Sequence, residues 1–304
     1  MNLVSAFFRL VRWPNLVFIA LTQVLFYFCI YLPLYHQHRT FTMVLLVFAS
    51  VFIAAAGYII NDYFDLNIDL VNKPKKNVVD RIIHRRWAII WHFVLSFLGV
   101  VLTAFAVGLH HWYLFLANII CVFLLWFYST SFKKQLLIGN LVISLLTAWT
   151  ILIFFFAFTT PDNALTATDA SVRFFRFAFL YAGFAFIISL IREAVKDVED
   201  MEGDARYGCK TLPIVAGIRS TKIYTAIWIV ILVVTLIVLQ VYILQFGWWH
   251  AVIYSSIFVI VPLVIVFFKL AKAKLAADYA QLSSYTKWVM LTGILSMIFF
   301  VFYF

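Results

Sequence analysis

The sequence predicts an all-α integral membrane protein, a bundle of nine transmembrane helices with its N-terminus in the cytoplasm. Three observations lead there. The chain is 65% hydrophobic and only 12% charged, where soluble domains are roughly 45–50% apolar and about 25% charged. Its apolar residues gather into runs close to the roughly 20 residues a helix needs to cross the hydrocarbon core. The charged residues lie mostly between those runs and favour alternate loops.

In chain order the runs fall near 16–35, 41–60, 87–108, 112–129, 139–158, 173–191, 223–244, 250–268 and 288–304. The first is followed by Pro33 and a short polar turn. It lacks a small-x-small cleavage site, so it is expected to be a span and not a removable leader. The polar stretches are too short to fold separately, and residues 1–304 are expected to form a single membrane domain. With loops assigned to alternate sides, all of the 23 Lys and Arg except Arg39, Arg173 and Arg176 fall on one side. Positive residues stay cytoplasmic, which places the N-terminus inside and the C-terminus outside. The expected location is the cytoplasmic membrane, crossed many times. The net charge of +10 is then a topology signal and an attraction to anionic lipid or substrate, not a nucleic-acid footprint. Cys29, Cys121 and Cys209 suggest neither a disulfide framework nor a zinc site.

The chemistry is expected at the ends of two even-numbered spans. Asp62, Asp65 and Asp69 repeat the spacing of Asp197, Asp200 and Asp204. On a helix, positions i, i+3 and i+7 fall within roughly 60° of one another, so each segment can aim three carboxylates one way. Only Asp162, Asp169 and Asp278 of the 13 acidic residues lie outside the stretches 62–80 and 193–204. So much negative charge near lipid needs cations to balance it, either a metal or the Lys and Arg of the same loops. Glu193 shares the second face, as a metal ligand or as the partner of Arg192 or Lys196. Two facing carboxylate clusters suit Mg²⁺, which usually shares its shell with substrate phosphate. A diphosphate at the membrane face with a polyprenyl tail among the helices would account for both the charge and the membrane. An allylic diphosphate ionises to a carbocation, so water must be kept out.

These residues resemble the UbiA superfamily of intramembrane prenyltransferases over nearly the whole chain. Arg12-Trp13-Pro14-Asn15 is similar to that family's lead-in to the first span. Asn61 to Asp69 matches its first acidic motif and continues into Asn72-Lys73-Pro74. Tyr128 to Lys133, followed by Gly139-Asn140, resembles its loop 4–5 signature, and Asp197 to Asp204 its second acidic motif. Arg192 to Asp204 with Lys210-Thr211-Leu212-Pro213 is most similar to the digeranylgeranylglyceryl phosphate synthase branch. One stretch departs from that branch. Its usual Arg-Pro-Ile-Pro-Ser-Gly-like continuation is replaced by Lys75-Lys76-Asn77-Val78-Val79-Asp80-Arg81.

The resemblance implies a Mg²⁺-dependent prenyltransferase with its active site on the cytoplasmic side. Asp62, Asp65, Asp69, Asp197, Asp200 and Asp204 would hold the metal. Lys133, Arg192, Lys196, Arg12, Asn15, Lys73 and Arg81 would contact diphosphate, and Asn61 would help at the metal or the diphosphate. Tyr128 would bond the diphosphate or face the forming cation, unless it is a membrane-interface tyrosine. The implied substrates are a polyprenyl diphosphate, expected to be geranylgeranyl, and a lipid-soluble acceptor, geranylgeranylglyceryl phosphate. No nucleic acid and no obligate protein partner is expected. Transfer to an aromatic, quinone-precursor or chlorophyll-like acceptor is the alternative, and a cation transporter is a further one. The order of Gly203 and Asp204 and the spacings that follow argue against a CDP-alcohol phosphotransferase. His36, His38, His84, His92, His110 and His111 are read as solvated or packing residues, Trp248-Trp249 as an aromatic belt and Phe154-Phe155-Phe156 as packing. The stretch 159–172 is read as an outer loop.

Overall fold

The computed structural model describes residues 3–72, 79–80, 82–159 and 169–303. Lys73, Arg81 and most of the stretch 159–172 lie outside the described residues. Among the described residues, nine helices are long and apolar enough to cross a membrane. They are Trp13–Tyr35, Thr40–Phe64, Arg85–Val107, Trp112–Thr130, Ile138–Phe158, Asp169–Glu199, Gly217–Leu244, Trp249–Lys272 and Ala276–Phe302, here the first to ninth spans. No strand occurs among those residues; one isolated bridge pairs Val79 with Ile83. Helices are the expected answer to an apolar solvent, because every backbone N–H and C=O must be satisfied within its own segment. The all-α, nine-span architecture agrees with the sequence.

The ends differ in one instructive way. The sixth helix runs past the apolar run through Arg192 and Asp197 to Glu199, and the ninth begins at Ala276, about a dozen residues before the expected 288. Hydropathy ends a span where polar side chains begin. The helix itself continues where those side chains face an internal cavity instead of lipid, as Ser283, Ser284 and Lys287 do. Lys287, read from the sequence as part of loop 8–9, therefore belongs to the ninth span.

Proline shapes two spans. Tyr27–Tyr31, just before Pro33, and Ser256–Ile260, just before Pro262, are both π-helical. Proline has no N–H and its ring crowds the carbonyl four residues back, and a widened turn relieves that contact.

Three apolar clusters hold the bundle. One joins the first, fifth and sixth spans through Phe26, Tyr31, Phe154, Phe158 and Phe174. A second joins the sixth to ninth spans around Ile188, Val195, Leu263 and Leu282. The third packs the short helix Leu3–Leu10 on the second and third spans. Second and third spans approach closely at Gly99, where a Cβ would lie 2.9 Å from the Ala49 carbonyl oxygen. Phe154 is wholly buried, as a packing residue should be. Of the two tryptophans read as a belt, Trp249 is exposed, but Trp248 stacks inward on Tyr303 at 5.0 Å. His92 is buried against the Ala56 carbonyl, 3.0 Å away. The three cysteines are free thiols.

Candidate active site

Both acidic segments fold as helix, break and helix. Asp62 lies in the last turn of the second span. Asp65 closes that span at φ −84°, ψ −1°, and Asp69 falls in the first turn of Leu66–Asn72. The second segment repeats this. Asp197 is near the end of the sixth span, Asp200 sits at φ −96°, ψ 3°, and Asp204 lies in Met201–Arg206. The ladder carries across both breaks. Asp65 N–H donates to Asn61 O (2.9 Å) and Asp69 N–H to Asp65 O (2.8 Å), while Asp200 N–H donates to Lys196 O (2.9 Å) and Asp204 N–H to Asp200 O (3.2 Å). The sequence suggested one continuous helical face for each triplet; the structure bends each at its middle aspartate.

All six aspartates line one cavity of about 660 Å³. Arg12, Asn15, Asn61, Tyr128, Lys133, Arg192 and Lys196 line it too, so every described residue singled out from the sequence is gathered there. The cavity continues inward past Ile143, Ile188, Met290 and Met297. Phe18, Tyr58, Trp149, Tyr181 and Phe184 are aromatics that line it; Phe154, Phe155 and Phe156 belong to the bundle core.

The cations are held by specific carboxylates. Arg12 has a left-handed backbone, φ 50°, immediately before the first span, a costly conformation for a non-glycine residue. Its guanidinium donates to Asp62 Oδ1 at 2.6 Å and lies 5.2 Å from the centre of the Tyr58 ring. Asp62 keeps that guanidinium charged, raising its pKa against the effect of burial. Lys133, on the short turn Phe132–Lys134, pairs with Asp65. Burial pushes the Lys133 ammonium down to about 8, with Asp204 pulling the other way. The first turn of the fifth span, which follows that loop, reaches the second cluster, where Asn140 Nδ2 donates to Asp197 Oδ2 at 2.8 Å. Gly139 permits this fold-back, since a Cβ there would lie 2.7 Å from Lys133 Cα. Glu193 bonds Arg192 Nη1 at 2.9 Å and lies 3.7 Å from Lys196 Nζ, the ion-pairing alternative of the two left open above.

The donor set fits Mg²⁺. Asn61 Nδ2 donates to Asp65 Oδ2 at 2.7 Å, which leaves Asn61 Oδ1 buried with no hydrogen-bond partner among the described residues. A buried amide oxygen beside carboxylates is a ligand set for a hard cation. Among the described residues, no three His, Cys, Asp or Glu side chains form a ready-made cage for one ion; Arg12, Lys133 and Asn140 hold carboxylate oxygens instead. Mg²⁺ does not require such a cage, because it binds through one or two carboxylates and completes its shell with water and substrate phosphate.

Sequence reasoning missed three contributors. Asn72 ties the two breaks together: its Nδ2 donates to Asp200 O at 2.9 Å and its Oδ1 accepts from Gly203 N–H at 2.8 Å. Asn140 stands in a motif whose resemblance implies no role for it; an amide opening an apolar run is the available signal. Lys287 falls in a loop by hydropathy alone.

The profile of the UbiA prenyltransferase family matches residues 20–291. A protein of Sulfurisphaera tokodaii named digeranylgeranylglyceryl phosphate synthase is 32% identical over 237 residues, 76% of this chain and 77% of that protein. A solved structure concerned with digeranylgeranylglyceryl phosphate synthase in membranes aligns with a TM-score of 0.61 at 23% identity, covering 98% of this chain and 99% of that one. A UbiA homolog from Archaeoglobus fulgidus, bound to DMAPP and Mg²⁺, aligns with a TM-score of 0.60 at 17% identity over 96% and 98% of the two chains. At these identities the structural likeness is one of fold.

Proposed function

The chain belongs to the UbiA prenyltransferase family, and from that premise we propose that it transfers a geranylgeranyl group from its diphosphate to the free hydroxyl of geranylgeranylglyceryl phosphate. In this reading the bond between the prenyl C1 and the diphosphate oxygen breaks. A C–O ether bond forms to the acceptor, and the hydroxyl proton leaves to the released diphosphate or to water. The observation that carries the proposal is the joining of two carboxylate clusters and their cations to one apolar-floored cavity. The relative from Sulfurisphaera tokodaii supports the choice of acceptor.

The two clusters and Asn61 would hold Mg²⁺, as the Archaeoglobus fulgidus homolog's bound Mg²⁺ supports; when bound, the metal offsets the charge that builds on the leaving diphosphate. Lys133, Arg12, Arg192 and Lys196 would add donors to the same oxygens. Lys73 and Arg81, outside the described residues, are proposed to reach the diphosphate from the intervening segment. Tyr128, half-buried on the cavity wall, would face the forming cation with its ring. The Ile and Met floor would keep water from that cation. We place the site on the cytoplasmic side of the cytoplasmic membrane, with the N-terminus inside and residues 1–304 acting as one domain without an obligate protein partner.

The test is transfer by purified protein in nanodiscs with Mg²⁺ and radiolabelled geranylgeranyl diphosphate. Geranylgeranylglyceryl phosphate and 4-hydroxybenzoate are supplied in separate reactions. Label in an ether lipid is the expected result. Label on the aromatic ring would overturn the acceptor and keep the family.

A further inference from the structure

One wall of the cavity carries a cation that the diphosphate chemistry does not use. Ser283, Ser284 and Lys287 of the ninth span line the cavity, and Met290, Ile294 and Met297 continue the same stripe one and more turns deeper. Spacings of three and four residues put them on one helix face. The stripe therefore changes from polar to apolar at Lys287, about 17 Å along the helix from Ala276 at 1.5 Å per residue. A lipid with a charged headgroup makes the same change where its tail begins.

The other cations singled out on this cavity each have a carboxylate. Arg12 pairs with Asp62, Lys133 with Asp65, and both Arg192 and Lys196 with Glu193. Lys287 has no acidic side chain within ion-pair distance among the described residues; its contact is the Phe18 ring, 5.5 Å away on the first span. Arg192, Lys196 and Arg12 are among the charges that act on it, and all three are positive. A lysine inside a span, facing a cavity and surrounded by like charge, is costly unless an anion joins it. Arg192 adds to this demand, because its Nε is buried with no hydrogen-bond partner among the described residues.

We propose that Lys287, with Ser283 and Ser284, forms a second anion subsite that takes the phosphate monoester of the lipid acceptor and so selects a phosphorylated acceptor. The assignment rests on the proposed function. Two anionic substrates that must meet in one cavity repel each other, and separate cationic holders let both stay. The donor's diphosphate falls to the aspartate clusters and Lys133. The acceptor's phosphate falls to Lys287, with its isoprenoid tail running on past Met290 and Ile294.

The test compares wild type with Lys287→Met and Lys287→Arg, full length in nanodiscs, in two readouts. One is the KM for each substrate, with geranylgeranylglyceryl phosphate and its dephosphorylated alcohol as acceptors. The other is a thermal-shift titration with geranylgeranylglyceryl phosphate, which needs no turnover. Loss of a charged hydrogen-bond donor should raise the KM of the phosphorylated acceptor roughly 10- to 100-fold. The KM for the donor should hold, the dephosphorylated alcohol should be unaffected, and Lys287→Arg should recover most of the loss. A Lys287→Met protein that binds and uses the phosphorylated acceptor as wild type does would overturn the subsite and leave the proposed function standing. So would a rise confined to the donor KM, or an equal loss with both acceptors. Wild type that binds the phosphorylated lipid through Lys287 but transfers no label to it would sink the functional reading and keep the subsite. No binding and no transfer in wild type would sink both.

Discussion

Replacing Asn72 by alanine should slow catalysis although, among the described residues, Asn72 bonds backbone groups and no charged side chain. Its amide is bonded at both ends to the second acidic segment, to Asp200 O and Gly203 N–H, across 128 and 131 residues of sequence. It fixes the distance between the two breaks that carry the aspartates. A net side-chain to backbone hydrogen bond is worth ~1 kcal/mol, so removing two costs ~2 kcal/mol. If that loss falls on the arrangement that meets the transition state, kcat/KM drops ~30-fold. Asn72→Asp keeps an oxygen for Gly203 N–H but sets a carboxylate oxygen against the Asp200 carbonyl, acceptor against acceptor, so it should lose more than the ~5-fold in rate that one missing bond would cost. Gly203→Ala attacks the same contact from the other side, because its Cβ would lie 2.5 Å from Asn72 Oδ1. In the Asn72→Ala background that substitution should cost much less, a coupling that a double-mutant cycle reads directly. The assay is initial-rate transfer of labelled geranylgeranyl diphosphate in nanodiscs, with a thermal melt of each variant to check folding. A kcat/KM for Asn72→Ala within ~3-fold of wild type would refute the idea that this amide holds the two clusters in register.

Asp62→Ala and Asp197→Ala should each lose nearly all turnover while membrane insertion and the elution profile in detergent stay normal; Mg²⁺-dependent activity in both would defeat the two-cluster site. Chelation with EDTA should stop transfer reversibly, and Mg²⁺ should restore it, as followed by product label. Gly99→Ala should lower stability by about 1–3 kcal/mol, because its Cβ would meet Ile53 Cγ1 at 2.6 Å and the Ala49 carbonyl at 2.9 Å; a melt at the wild-type temperature would count against so tight a seam.

Much of this protein is legible in one dimension because the membrane imposes local rules. Each span must be apolar and helical on its own, so nine runs of hydropathy became nine helices to within a few residues at most ends. Asp62 with Asp65 and Asp197 with Asp200 were likewise visible because a repeated short spacing is a property of the chain. The Arg12, Lys133 and Arg192 sites came from motif resemblance, and the fold brings all of them to one cavity. What the sequence could not reach depended on contacts between distant segments. Which carboxylate pairs with which cation, the bridge from Asn140 to Asp197 and the clamp from Asn72 to Gly203 follow from how helices cross, and no local pattern encodes that. Lys287 shows the limit most plainly. To a hydropathy scan a lysine and two serines end a span, because the scan assumes lipid on every side. Tertiary packing put a polar cavity on that face, and the helix ran straight through.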